Sequence, residues 1–161
     1  VNGDDRTGTM ASMDTEEERR PFVLIVEDED EDATQALGAF QEPPSWDALH
    51  LEDGAEALAY MWQEGKYAGA RMPDLVVLNI RLPKVHGLEV LTMLKQRPEL
   101  VPVPFVMWSV STDPEDIWFA YKHGAAAYFS KASDGEPMRE QMRLIRRFWE
   151  GAQLPTRRMP G

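Results

Sequence analysis

The sequence predicts a doubly wound α/β domain: a five-stranded parallel sheet in the order 2-1-3-4-5, with helices on both faces. Three observations predict it. Five short apolar runs alternate with five segments of helical period between Phe22 and Trp149, and strict alternation implies parallel strands joined by helical crossovers. The runs Phe22-Val23-Leu24-Ile25-Val26 and Leu75-Val76-Val77-Leu78 are unbroken, as in strands covered on both faces. At 161 residues the chain accommodates one such domain with tails, and is too short for two ordinary ones.

Each element has its own local cause. The first strand stops at an acidic cluster, and a helix follows to about Phe40, with Ala33, Ala36, Leu37 and Phe40 at helical spacing. Pro43-Pro44 ends it, and Trp46 to Leu51 alternates as a second strand. Asp53-Gly54-Ala55-Glu56 starts the next helix, Asp53 capping the free amides and Glu56 reaching back in a capping-box variant. After the third strand, Leu88, Leu91 and Leu94 line one face of a helix that Pro98 terminates. Pro104 to Trp108 is the fourth strand, and Asp113-Pro114-Glu115-Asp116 opens a helix with an Asp cap and acids near its positive end. Gly124 stops that helix by admitting a left-handed residue. Ala126 to Phe129 forms a short fifth strand, and the last helix runs from about Pro137 to Trp149. The strand order is the flavodoxin-like one, the common solution at this size.

Composition narrows the function. Seventeen basic against twenty-eight acidic side chains give a net charge of −11, a field that repels nucleic acid. The absence of cysteine excludes disulfides, zinc–thiolate sites and cysteine nucleophiles. No apolar run approaches the roughly 20 residues that span a bilayer, and no signal-peptide pattern opens the chain, so no membrane association and a cytoplasmic location are expected. His50, His86 and His123 have no metal-ligand spacing. Residues 1–20 read as a flexible tail, in which Val1 to Ser12 read equally as native or as an expression remnant. Residues 21–150 read as the domain, and 151–161 as a basic, proline-punctuated tail.

The functional crevice of such a sheet lies beyond the carboxyl ends of the strands. Those ends carry Glu27 and Asp28 after strand one, Asn79 after strand three, Ser109 after strand four and Lys131 after strand five. Two carboxylates suit a hard divalent cation, while an ammonium and a hydroxyl suit a phosphoryl group. Lys131 alone reads more plainly as a surface lysine, and Ser109 alone carries almost no information; their joint placement on four strand ends carries the reading. Glu29 to Asp32 read as a solvated loop and helix start, whereas Glu27 and Asp28 stand directly at the end of a buried strand. A nucleophile is missing, because an amide does not attack phosphorus as a carboxylate does. An enzyme on this fold, such as a phosphatase or a flavin carrier, would need a phosphate-cradling Gly-rich loop, and none follows any strand. A non-enzymatic role is expected.

From about Pro21 to Glu150 the chain resembles a response-regulator receiver domain. The resemblance rests on Val23-Leu24-Ile25-Val26-Glu27-Asp28, on Pro73 to Leu91, on Val106-Met107-Trp108-Ser109, and on Gly124-Ala125-Ala126-Ala127-Tyr128-Phe129-Ser130-Lys131. It implies that Glu27, Asp28, Asn79 and the backbone carbonyl of Arg81 hold Mg2+, that Ser109 and Lys131 read the phosphoryl group, and that Tyr128 swings between exposed and buried rotamers. The Asp32 to Phe40 helix, the Glu64-Gly65-Lys66-Tyr67-Ala68 insertion and the closing Arg147-Phe148-Trp149-Glu150 are similar to the single-domain regulators that partner bacterial phytochrome histidine kinases. That likeness implies a sensor histidine kinase as partner and a homodimer. The dimer would form through the fourth and fifth helices, offering Ile117, Trp118, Tyr121, Met142, Ile145 and Trp149, with Arg139, Arg143 and Arg146 around them.

Three positions depart from the family. Asn79 stands at the phosphorylated Asp, Ala132 at the proline that follows the lysine, and Val110 at the usual small residue after the hydroxyl. Asn79 removes the chemistry and one charge, so weaker Mg2+ binding is expected. Two accounts stand open: a working regulator changed from Asp to Asn, and a natural pseudo-receiver acting as a phosphorylation-independent interaction module.

Overall fold

The computed structural model describes residues 19–155; the expected tails fall largely outside the described residues. Five strands, β1 (Phe22–Val26), β2 (Asp47–Leu51), β3 (Leu75–Leu78), β4 (Phe105–Ser109) and β5 (Ala127–Ser130), alternate with α1 (Asp30–Gln41), α2 (Gly54–Met61), α3 (Gly87–Lys95), α4 (Pro114–Lys122) and α5 (Glu136–Gly151). All pairings are parallel and the order is β2-β1-β3-β4-β5. The expected fold is the observed one. Among the described residues no helix is long and apolar enough to cross a membrane.

Two cores flank the sheet because successive residues of a buried strand point to opposite faces. Val23, Ile25, Val77, Val106 and Trp108 face one core, closed by α1 and α5 through Ala36, Phe40, Met138, Met142 and Ile145. Leu24, Val26, Val76, Leu78, Phe105 and Met107 face the other, closed by α2, α3 and Ala120 of α4. That division corrects one expectation. Met142 and Ile145 are fully buried against the sheet and α1, so neither is available to a second chain.

Arg139, Arg143 and Arg146 of α5 also face α1 rather than ringing an interface. Arg139 Nε donates to Gln35 Oε1 at 2.9 Å, Arg143 pairs with Glu42 at 2.7 Å, and buried Arg146 donates to the Ala39 and Glu42 carbonyls. Arg143 lies within reach of Glu42, Glu136 and Glu140, and its guanidinium in turn holds the Glu42 carboxyl below its usual range.

Capping follows the sequence with one difference. Asp53 Oδ1 accepts from Glu56 N at 2.7 Å and Asp113 Oδ1 from Glu115 N at 2.9 Å. Glu56 does not reach back to the cap. Its carboxylate accepts from Tyr67 and from Lys66 at 3.0 Å, two partners on the Gly65–Tyr67 turn that satisfy it better than one exposed amide. The chain also carries a cis bond between Pro43 and Pro44.

Candidate functional site

The ends of β1, β3, β4 and β5 meet at one edge, as the parallel topology requires. The ladder carries the backbone into the site: Glu27 N–H donates to Leu51 O, Asn79 N–H to Val26 O, and Lys131 N–H to Ser109 O. Glu27 and Ser109 are fully buried and Asn79 nearly so.

Asn79 Nδ2 is the centre of the acidic set. It lies 3.2 Å from Glu27 Oε1, 3.1 Å from Asp28 Oδ1 and 3.3 Å from the Arg81 carbonyl oxygen. An amide nitrogen only donates and these three oxygens only accept, so the contacts dictate which way the amide faces. The three oxygens and one polar side chain are those expected of a cation site. A convergent all-oxygen set fits Mg2+, provided that Asn79 turns its oxygen inward. Glu27, Asp28, the Arg81 carbonyl and Asn79 would then hold the ion, which would supply positive charge to bind phosphoryl oxygens. Among the described residues no cluster of three or more His, Cys, Asp or Glu side chains is placed to bind a metal.

Lys131 fills the other half of the site. Its side chain is 3% exposed, with Nζ 2.7 Å from Glu27 Oε2 and 2.6 Å from Asp32 Oδ2. The Glu27 contact is ionic and lies off the hydrogen-bond direction, whereas Asp32 accepts a directed bond. Burial acts against the charged lysine, but the two carboxylates outweigh it and raise its pKa. Burial also raises the Glu27 carboxyl, despite the lysine beside it. Asp32 therefore belongs to the site and is not merely part of a solvated helix start. Its place in a run of six acids hid it from the sequence.

Ser109 and Tyr128 meet one loop. Ser109 Oγ accepts from Ser111 N–H at 3.2 Å, and Tyr128 Oη donates to the Ser111 carbonyl at 2.8 Å. Tyr128 is partly buried against the α2–α3–α4 core, and its backbone N–H donates to Tyr121 Oη at 3.1 Å. Ser130 Oγ reaches the same Ser111 carbonyl at 3.3 Å. Ser111 thus links the serine and the tyrosine, a role its sequence position did not signal.

These residues in this order on this sheet match a known family. The sequence model of the response regulator receiver domain covers residues 23–143. The chain belongs to that family. This receiver is a module of two-component signalling with the flavodoxin-like fold. It is 29% identical over 146 residues to response regulator Rcp1 of Synechocystis, spanning 89% of this chain and 99% of that protein. It is 34% identical over 143 residues to the probable methanogenesis regulatory protein FilR2 of Methanothrix harundinacea, spanning 87% and 91%. The phosphorylated cyanobacterial phytochrome response regulator RcpA superposes with a TM-score of 0.82 at 33% identity, over 85% of this receiver and 99% of that chain. The Mn2+-bound form of Rcp1 superposes with a TM-score of 0.81 at 29% identity, over 84% and 99%.

The surface expected to pair is only partly apolar. Trp118 and Tyr121 of α4 are 63% and 51% exposed, while Ile117 and Trp149 are half-buried. On α5 the exposed apolar pair is Leu144 and Phe148, one turn apart on the side away from Met142 and Ile145. The sequence reading missed that pair because it followed the stronger core stripe of the same helix.

Proposed function

We propose that this chain is a single-domain response regulator that takes its signal from a sensor histidine kinase, a bacterial phytochrome by likeness to RcpA, and passes it on by changing its α4–β5–α5 surface. Asn79 stands at the phosphoacceptor position, so no phosphoryl group is accepted there. The single observation that carries this reading is the convergence of Glu27 Oε1, Asp28 Oδ1 and the Arg81 carbonyl on the Asn79 side chain, with Lys131 tied to the same Glu27. The acidic pair, lysine, serine and tyrosine are all present, and only the attacking oxygen is lacking. Mg2+ binds this set more weakly than it would bind with aspartate at position 79. The partner surface is a homodimer contact through Trp118 and Tyr121, nucleic acid is not a partner, and the protein works in the cytoplasm.

A second reading has its own observation. The Asn79 amide points its two hydrogens at the oxygens that a cation would contact, so the acidic set is hydrogen-bonded by the chain's own side chain. That favours a natural pseudo-receiver, a phosphorylation-independent interaction module held in one state by its own amide.

Intact mass after acetyl phosphate and Mg2+, on this chain and on Asn79→Asp, separates them. Label on the variant alone supports a working receiver silenced at one side chain. Label on neither supports the pseudo-receiver, and label on the unmodified chain overturns both.

A further inference from the structure

Lys131 lies in the β5–α5 connection, where the family's proline is replaced by Ala132. One side chain makes three hydrogen bonds here, two to the backbone of that connection and one to β4. Gln141 Nε2, on α5, donates to the Ser130 carbonyl at 2.7 Å. Gln141 Oε1 accepts from Ala132 N–H at 3.0 Å and from Trp108 Nε1–H at 2.8 Å. Two donor-only partners on one atom and an acceptor-only partner on the other leave a single amide orientation. The glutamine grips the backbone immediately before and immediately after Lys131. It also holds the indole over which the Lys131 ammonium lies, 4.8 Å from the ring centroid, a cation–π contact in a dry setting.

We propose that Gln141 is the positioning residue for Lys131, setting both the backbone that carries the lysine and the aromatic face on which its ammonium rests. Ala132 is part of the device, because a proline there has no N–H to give. The side chain does the work that ring rigidity would otherwise do in this connection. The effect on phosphoryl chemistry rests on the reading of Lys131 given above, but the placement of the ammonium does not.

The test uses the full chain labelled with 15N. The Lys131 ammonium and Trp108 indole resonances are followed, the former assigned by its loss in Lys131→Met. In Gln141→Met both resonances move or vanish while the remaining backbone spectrum is retained. In Gln141→Glu, which keeps an acceptor for both N–H donors but sets a second acceptor against the Ser130 carbonyl, the indole returns toward its original position while the Lys131 resonance stays displaced. A Lys131 resonance unchanged in Gln141→Met, with only the indole displaced, overturns the proposal and leaves Gln141 a strut. If Gln141→Met does not fold, Gln141→Asn, whose amide falls about one methylene short of all three partners, takes its place, and an unmoved Lys131 resonance there overturns the proposal equally. In the Asn79→Asp background, Gln141→Met slows labelling by acetyl phosphate about tenfold, as misplacement of a reacting group does, and leaves Mg2+ affinity unchanged. Should Asn79→Asp take no label, the receiver chemistry fails, while the resonances of the unmodified chain still decide the role of Gln141.

Discussion

Asp32 Oδ2 stands 2.6 Å from Lys131 Nζ, so the first turn of α1 is bonded directly to the β5–α5 connection. The lysine is 3% exposed and its partner 17%, a setting in which removal of one carboxylate leaves a buried cation with a single counter-charge. Asp32→Ala should therefore destabilise the protein by about 1–3 kcal/mol. Urea unfolding checks this, and an unchanged midpoint would show that Glu27 alone suffices.

Magnesium binding should depend on the atom facing the acidic set. In the unmodified chain the Asn79 amide must give up its contacts with Glu27, Asp28 and the Arg81 carbonyl before an ion can enter. In Asn79→Asp the same position adds a negative ligand. We expect Mg2+ to bind the variant at least about tenfold more tightly, about 1.4 kcal/mol. A titration followed by tryptophan fluorescence measures it, and equal affinities refute it.

Gly87 is required by close approach rather than by an unusual φ. A Cβ there would lie 1.9 Å from the Asn79 carbonyl oxygen and 2.8 Å from Ile80 Cα, both backbone atoms that cannot swing aside. Gly87→Ala should cost at least about 2–3 kcal/mol and displace the loop bearing Asn79. Thermal unfolding together with the Asn79 backbone resonance reports both effects.

Stability at alkaline pH should carry the mark of Lys95. Burial pushes its ammonium down to about 8 from the usual 10.5, although it donates to the Val101 and Val103 carbonyls. Between pH 8 and 10.5 the unfolded chain then binds more protons than the folded one, so stability rises with pH through that window. Below pH 8 the penalty for the charged form is constant. The side chain keeps some solvent contact, so the gain is about 1 kcal/mol after screening. Denaturant unfolding from pH 7.5 to 10.5, compared with Lys95→Met, should show the rise in the unmodified chain alone; parallel curves would exclude it.

Trp118 tests the dimer. Its ring is 63% exposed with the Lys122 ammonium 4.6 Å above it, so Trp118→Glu should alter stability by less than about 0.5 kcal/mol. If α4 pairs two receivers, sedimentation equilibrium should show that variant shifted toward monomer. A mass equal to that of the unmodified chain at every concentration would remove α4 from the interface.

Much of the fold was legible in local pattern. Unbroken runs such as Phe22–Val26 announce buried parallel strands, and Asp53 and Asp113 cap the helices that their neighbours begin. The placement of Glu27, Asp28, Asn79, Ser109 and Lys131 at strand ends followed from topology. The α5 surface was less legible, because Met142, Ile145 and Trp149 share a helical stripe that serves a core and an interface equally well in sequence. Burial against α1 settled the first two.

The sequence by itself determined the alternation of strands and helices and which residue types stand at the strand ends, because hydrophobic period and strand ends are properties of contiguous residues; the sheet order followed from the common topology at this size. Only the tertiary structure decided which partner each polar group takes. Asp32 meets Lys131 across 99 residues of chain, Asn79 meets Glu27 across 52, and Gln141 reaches Trp108 across 33. The first and last depend on the packing of α1 and α5 on one face of the sheet and the second on the pairing of β1 with β3, and a hydrogen bond needs its two atoms placed to within a few tenths of an ångström.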